Sequence, residues 1–267
     1  MLKEDKARQG DGGAGKGAVY IIGIGPGGPG HLTGRALEMI EAADCVVGYT
    51  RYVGLIKHLT EGKKVFSTGM THEVERCAQA IEFAREGKKV AVVSSGDAGI
   101  YGMAGLVFEL LAASGNEEME IEVVPGVPAF VAASALLGAP LMHDFASISL
   151  SDLLTDWKVI EERLDAAARA DFVLVLYNPK SSKRVEGLGK ALSIIGRHRK
   201  GSTPVGIVRN ASRADEDAVL TTLDNVSALY DRIDMLTILI IGNSSTFLAL
   251  GRMVTPRGYR LQGGAGG

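Results

Sequence analysis

Apolar positions along the chain fall into short continuous runs that alternate with stretches of helical spacing. Val19-Tyr20-Ile21-Ile22-Gly23-Ile24, Cys45-Val46-Val47, Val90-Ala91-Val92-Val93 and Glu120-Ile121-Glu122-Val123-Val124 read as strands, and Lys64-Val65-Phe66 as an edge strand. Thr33 is the predicted N-cap of a helix carrying Ala36, Leu37 and Ile40, and Tyr52 to Leu59 reads as a short helix. Thr71 is the predicted cap of a helix in which Val74, Cys77, Ile81 and Ala84 recur, and Leu106 to Leu111 carries the next helical pattern. Pro125-Gly126-Val127-Pro128 turns into a small-residue helix, Ala129 to Leu137, ended by Gly138. This alternation predicts parallel βαβ units and a first α/β domain over residues 18–139.

Ala139 to Phe145 breaks the periodicity, so residues 140–146 are the expected linker and 147–260 the second α/β domain. Ser147-Ile148-Ser149-Leu150-Ser151 alternates as a half-buried strand does, and Ser151-Asp152-Leu153-Leu154 reads as turn and cap. Trp157 to Ala170 and Val185 to His198 read as helices. Phe172 to Tyr177, Pro204 to Val208 and Leu236 to Ile241 read as buried strands. Val219 to Thr222 reads as a strand without a helix of its own, which predicts a partly antiparallel second sheet.

Composition narrows the function classes. A chain of 267 residues with 46% hydrophobic content can bury the cores of two modest domains. A formal net charge of -2 argues against a nucleic-acid partner. Cys45 and Cys77 are too few for a disulfide framework, and both read as reduced core residues. No run has the length of a membrane span or the form of a signal peptide, so a cytoplasmic location without a membrane partner is expected. Residues 1–17 and 261–267 are charged or glycine-rich, and both ends are expected to be flexible.

Candidate chemistry gathers where strands end. Val93-Ser94-Ser95-Gly96-Asp97-Ala98-Gly99-Ile100-Tyr101-Gly102-Met103-Ala104-Gly105 combines a strand terminus, glycines that permit close approach of main chain to a ligand, and one fixed carboxylate. Gly23, Gly25 and Gly28 match the dinucleotide spacing. Pro26 and Pro29 lengthen that loop, however, and the second strand lacks the acidic residue that would hold a ribose, which disfavours a nicotinamide cofactor. Gly10 to Gly17 imitates a phosphate loop but ends in Gly17 where Ser or Thr is needed, and it precedes a strand instead of following one. The strand ends at Asn178-Pro179 and Asn210-Ala211, with the Pro125 to Ala129 turn, complete a cleft expected to be built from both halves. The five histidines show no metal-ligand spacing with one another, so no resident metal is expected.

Together with Gly25-Pro26-Gly27-Gly28, this set resembles the tetrapyrrole methylases, S-adenosylmethionine-dependent methyltransferases that build cobalamin and sirohaem. Ser67-Thr68-Gly69-Met70, Ser94 to Gly105, Leu137 to Phe145 and Ile148 to Leu154 are similar to the C17-methyltransferases that act on precorrin-3B or cobalt-factor III. The resemblance spans residues 18–260. It implies a two-domain α/β homodimer, with a parallel N-terminal sheet, a mixed C-terminal sheet and the methyl donor folded in the cleft. Carried onto this chain, the donor contacts are Pro26, Ser95, Gly96, Asp97, Ile100, Pro128, Ala129, Asn178 and Ala211. Cobalt would enter only within the substrate.

Methyl transfer from a sulfonium needs alignment more than a nucleophilic residue. The acetate and propionate arms of a tetrapyrrole need cations, and Arg51, Lys57, Lys180, Lys183, Arg184, Arg209 and Arg213 are the candidates, Arg51 and Arg213 foremost. The ring contraction implied by the resemblance also needs proton movement, expected from His143 or Asp97. Rival readings are a sister methyltransferase acting at another ring carbon, a diphthine or ribosomal RNA methylase, a nicotinamide oxidoreductase and a non-catalytic donor-binding module.

Overall fold

The computed structural model describes residues 17–115 and 119–260, so the phosphate-loop mimic up to Lys16 and, Gly17 apart, the two expected flexible tails lie outside the described residues. The chain divides into two units. One runs to Gly25 and resumes over Gly30–Gly126; the other holds Pro26–Pro29 and the chain from Val127.

The first unit is a five-stranded sheet of β1 (Ala18–Gly23), β2 (Cys45–Tyr49), β3 (Lys64–Thr68), β4 (Lys89–Ser94) and β5 (Glu120–Val124) in the order β3-β2-β4-β1-β5. Every pairing is parallel, with Ala18 opposite Lys89 and Glu120, and Cys45 opposite Lys64 and Val90. Both faces are covered, which is why β1 and β4 read as unbroken apolar runs. Val19, Ile21, Val90 and Val92 pack against α3 (Glu73–Arg85) and α4 (Ala104–Ser114); Tyr20, Ile22, Ala91 and Val93 pack against α1 (Gly34–Ala42) and α2 (Thr50–Leu55). Thr33 caps α1, its hydroxyl accepting the Ala36 N–H at 3.1 Å.

Several local expectations are corrected. The helix expected from Tyr52 to Leu59 is α2 followed by a 3-10 turn, Lys57–Leu59. Thr71 does not cap α3: its φ is +67°, His72 holds the N-cap position, and Val74 is exposed while Arg76 is buried. A solitary polar atom also lies inside this unit, the Ser94 hydroxyl at the end of β4, which has no hydrogen-bond partner among the described residues. Removing an unpaired buried hydroxyl removes a desolvation cost, so Ser94→Ala should leave stability unchanged or raise it by up to about 1 kcal/mol in urea denaturation.

The second unit begins with α5 (Ala129–Leu137), and its main sheet holds β7 (Phe145–Ser149), β8 (Val173–Tyr177), β9 (Pro204–Arg209), β10 (Asp217–Thr222) and β11 (Thr237–Ile241) in the order β10-β9-β11-β8-β7. β7 and β8 are parallel and the other pairings antiparallel, the mixed sheet expected. α6 (Trp157–Arg169) and α7 (Gly187–Gly196) cover one face through Ile160, Leu164, Leu188 and Ile195 against Leu174, Leu176 and Ile207. The α6 cap is Asp156, whose carboxylate accepts the Lys158 N–H, and not the Ser151-Asp152 pair.

A small third sheet, β12 (Phe247–Ala249), β13 (Arg252–Val254) and β6 (Gly138–Ala139), had no signal long enough to predict. It helps to explain why the units divide after Gly126 instead of within 140–146. β6 pairs with β13, and Leu137 fills the space over Gly206 of β9, where a Cβ would lie 2.2 Å from Leu137 Cδ1. The α5 helix, expected to close the first domain, is therefore held by the second unit.

Candidate functional site

In the first unit, β1 and β4 are neighbours whose following helices leave toward opposite faces of the sheet, the arrangement that opens a ligand crevice beyond the carboxyl ends. The two loops there are joined. Gly25 N–H donates to Gly96 O at 3.0 Å, Gly96 N–H donates to Gly25 O at 2.7 Å, and both glycines have φ above +70°. Gly23 and Gly126 pack main chain on main chain beside them: a Cβ on Gly126 would lie 2.2 Å from Gly96 O. Asp97 completes this knot. One carboxylate oxygen accepts the Gly99 N–H at 2.8 Å and the other the Gly126 N–H at 3.0 Å, tying the β4 loop to the end of β5. Its remaining lone pairs are available to hydroxyl or ammonium donors. Ser95, Gly96, Asp97 and Ile100 are thus gathered on one loop.

In the second unit β7, β8 and β9 point the same way, which brings Ser149, Asn178 and Ala211 to one end of the sheet. Asn178, Asn210 and Ser212 all have left-handed backbone, φ +51°, +53° and +62°, conformations that Asn tolerates better than most residues. Asn178 Nδ2 donates to Ser149 Oγ at 2.9 Å. The Tyr177 hydroxyl accepts the Phe130 N–H at 3.3 Å, so the first turn of α5, with Pro128 and Ala129, sits at that same end. Pro26 joins it through its carbonyl, which accepts from Arg213 Nε at 2.8 Å. Gly27 has to be glycine there, since a Cβ would lie 2.5 Å from Arg213 Cγ. Pro26, Pro128, Ala129, Asn178 and Ala211 are accordingly brought together.

The residue types suit a nucleoside-like methyl donor. In the first unit Asp97 offers a carboxylate that hydroxyl or ammonium groups can use; in the second, Ala129 has an N–H at a helix start with no partner among the described residues, at the sheet end that carries the left-handed residues Asn178, Asn210 and Ser212. A nicotinamide site finds no such support: the glycine loop does not open a helix, because α1 starts only after Thr33, and β2 runs into Thr50 and Arg51 instead of a carboxylate.

His143 lies elsewhere. The Val173 N–H donates to Asp144 O, which puts His143 at the start of β8, whereas Asn178 follows its end. Five residues at about 3.3 Å each separate those levels by roughly 15 Å. The His143 ring lines a cavity of about 360 Å³ with Asp144, Asp171, Asn243 and Arg257, and its Nδ1 accepts the Asp144 N–H at 2.9 Å. The expected His143 role in proton movement is therefore not supported by its place in the second unit. His143→Ala should keep methyl transfer close to the wild-type rate in a coupled homocysteine-release assay.

The seven candidate cations divide. Lys180 Nζ donates to Tyr230 O, Arg184 to Leu150 O and Met235 Sδ, and Arg213 to Pro26 O, so these three have structural partners. Arg209 Nε pairs with Asp234 at 2.8 Å. Arg51, Lys57 and Lys183 are exposed and make no ion pair among the described residues. Burial pushes the Asp234 carboxyl up, but the hydrogen bonds from Arg209, Leu236 N–H and Thr237 outweigh it, and the net shift is downward. The folded state thus binds fewer protons than the unfolded one as pH falls through about 4, so this stabilisation is complete above that value and lost below it. Asp234→Asn should flatten the acid limb of a stability-versus-pH curve.

Sequence reasoning missed Tyr177 and Arg76, and named Gly126 only as part of the Pro125 to Ala129 turn. Tyr177 ends an apolar strand beside Asn178, which was a usable sign; the packing of Gly126 and the burial of Arg76 depend on distant parts of the chain. Burial pushes the Cys77 thiol up to about 12 and raises Cys45 as well, so both remain protonated.

Residues 18–227 match the family described as tetrapyrrole (corrin/porphyrin) methylases. The chain is 49% identical over 243 residues to a Salmonella typhimurium protein named probable cobalt-factor III C(17)-methyltransferase, covering 91% of this chain and 100% of that one. It is 39% identical over 232 residues to the precorrin-3B C(17)-methyltransferase of a Sinorhizobium species, covering 86% and 90%. Among solved structures it is similar to the methyltransferase CobJ, with TM-score 0.85 and 34% identity over 90% of this chain and 100% of that one. It is also similar to a Thermus thermophilus uroporphyrin-III C-methyltransferase complexed with S-adenosylhomocysteine, with TM-score 0.66 and 27% identity over 85% and 97%.

Proposed function

The chain belongs to the tetrapyrrole (corrin/porphyrin) methylase family, and from that membership we propose that it methylates C17 of cobalt-factor III with S-adenosylmethionine, coupled to ring contraction, in cobalamin biosynthesis. The observation that carries this reading is 49% identity extending over the whole of the Salmonella relative. Metal-free precorrin-3B is the second substrate to test, since the relative named for it is 39% identical.

S-adenosylmethionine supplies, when bound, a methyl group already activated by its sulfonium. The protein's task is to hold donor and carbon nucleophile in line. We assign donor binding to Ser95, Gly96, Asp97 and Ile100 of the first unit and to Pro26, Pro128, Ala129, Asn178 and Ala211 of the second. Of the two groups expected to move a proton, Asp97 belongs to this donor set and His143 does not. Arg51, Lys57 and Lys183 are assigned to the carboxylate arms of the substrate; Lys180, Arg184, Arg209 and Arg213 are assigned to the scaffold.

We further propose that the protein acts in the cytoplasm as a homodimer. Phe247, Leu248 and Leu250 on the β12–β13 hairpin are 47%, 49% and 101% exposed, an apolar tip that a second copy would cover. Light scattering on the purified protein should give twice the chain mass; a monomer contradicts the dimer. The catalytic reading is tested by anaerobic incubation with S-adenosylmethionine and each macrocycle. Methylated, ring-contracted product with equimolar S-adenosylhomocysteine is expected from cobalt-factor III, and unchanged substrate mass with both macrocycles would refute it.

A further inference from the structure

The carboxyl ends of β2 and β3 lie on the same edge of the parallel sheet as Gly25, Gly96 and Asp97. The Asp97 loop, however, is tied toward β1 and β5, through Gly25 and Gly126, and the ends of β2 and β3 are held by other contacts. A buried charge organises those ends. Arg76 of α3 is 3% exposed; its Nη1 donates to Thr68 Oγ1 and to Gly69 O, each at 2.6 Å, and its Nη2 to Glu73 at 3.1 Å. The guanidinium lies 6.0 Å from the centre of the Tyr49 ring, and Thr50 Oγ1 donates to Thr68 O at 3.0 Å. One side chain thus fixes the last residues of both strands.

The turn it holds is strained. Thr71, a β-branched residue, has φ +67°, and its N–H donates to the same Glu73 oxygen that receives Arg76. Strain of this kind persists only where surrounding contacts over-determine it, and it concentrates where conformation matters to function. The clamped segment presents Met70, 57% exposed, and the start of α2, directly after β2, carries Arg51, exposed and without an ion pair among the described residues.

We propose that Arg76 is a positioning residue for the macrocyclic substrate: it holds the Thr68–Thr71 turn and Tyr49 so that Met70 offers an apolar contact to the ring face and Arg51 a cation to a carboxylate arm. The proposal rests on the methyltransferase reading above. It predicts a separation of kinetic constants that loss of folding does not produce. In the full-length Arg76→Lys enzyme, which has a point charge in place of the planar fork, the KM for cobalt-factor III should rise at least about tenfold, while the KM for S-adenosylmethionine stays within about twofold. Thr71→Gly should unfold at or above the wild-type temperature, because the left-handed penalty is gone, and yet should raise the cobalt-factor III KM several-fold. Unchanged macrocycle KM in Thr71→Gly, or donor and macrocycle constants rising together in either variant, overturns the proposal; if Arg76→Lys does not fold, Thr71→Gly decides. If the wild type turns over neither macrocycle, the methyltransferase reading has failed separately. Cobalt-factor III binding followed by absorbance then judges the positioning role of the Thr68–Thr71 turn, with weaker binding in Thr71→Gly supporting it and equal binding refuting it.

Discussion

Asp97→Asn is expected to weaken both the fold and donor binding. The carboxylate oxygens accept from Gly99 N–H at 2.8 Å and Gly126 N–H at 3.0 Å, and an amide can satisfy only one of these; its NH2 must then face an N–H donor. Losing a charge-assisted hydrogen bond and leaving its partner unpaired costs about 2 kcal/mol. The same substitution removes the negative charge assigned to the donor's hydroxyl or ammonium groups, so the dissociation constant for S-adenosylhomocysteine should rise at least about 30-fold. Calorimetric titration against the wild type measures the second effect and urea denaturation the first. Wild-type affinity with reduced stability would leave Asp97 a purely structural tie.

Gly126→Ala is the other large effect. An added Cβ would lie 2.2 Å from Gly96 O and 2.7 Å from the carbonyl carbon and oxygen of Gly23, all main-chain atoms that no rotamer change can move. The ends of β1, β4 and β5 would have to separate, with loss of the Gly25–Gly96 bridge and the Gly126–Asp97 bond. Overpacking with broken hydrogen bonds lies in the most damaging class of single substitutions, so a loss of about 3–5 kcal/mol is expected, lowering Tm by roughly 10 °C. Gly105→Ala is the matched control. Nothing lies within 4 Å of its Cβ, and a helical glycine replaced by alanine should gain about 0.5–1 kcal/mol. Similar melting of Gly126→Ala and wild type would contradict the packed strand ends.

Much of the fold was legible because buried parallel strands leave unbroken apolar runs, as Val19–Ile22 and Val90–Val93 do, and because Thr33 and Gly138 mark helix ends through local chemistry. The division between units was not legible. Pro140 interrupts the periodicity, but what assigns α5 is Leu137 over Gly206 and the pairing of β6 with β13, contacts made across most of the second half of the chain. Thr71 misled for a related reason: a threonine before a helix looks like a cap, yet the buried Arg76 and Glu73 hold that turn in a left-handed conformation where His72 takes the cap position. In the candidate site, the Ser95–Ile100 loop and the strand ends at Asn178 and Ala211 stood out by residue type and position. The cations did not sort themselves, because an arginine near a strand end looks the same in sequence whether it meets solvent, as Arg51 does, or Asp234, as Arg209 does. His143 next to Asp144 suggested acid–base chemistry, and only the strand directions show it at the far end of β8 from Asn178.

The most direct measurement is the position of the transferred carbon. With S-adenosylmethionine labelled with ¹³C in its methyl group and cobalt-factor III under anaerobic conditions, one enriched methyl resonance, correlated with C17 of a contracted macrocycle, is expected. Enrichment at any other ring carbon, or label remaining on the donor, would contradict C17 methylation by this protein.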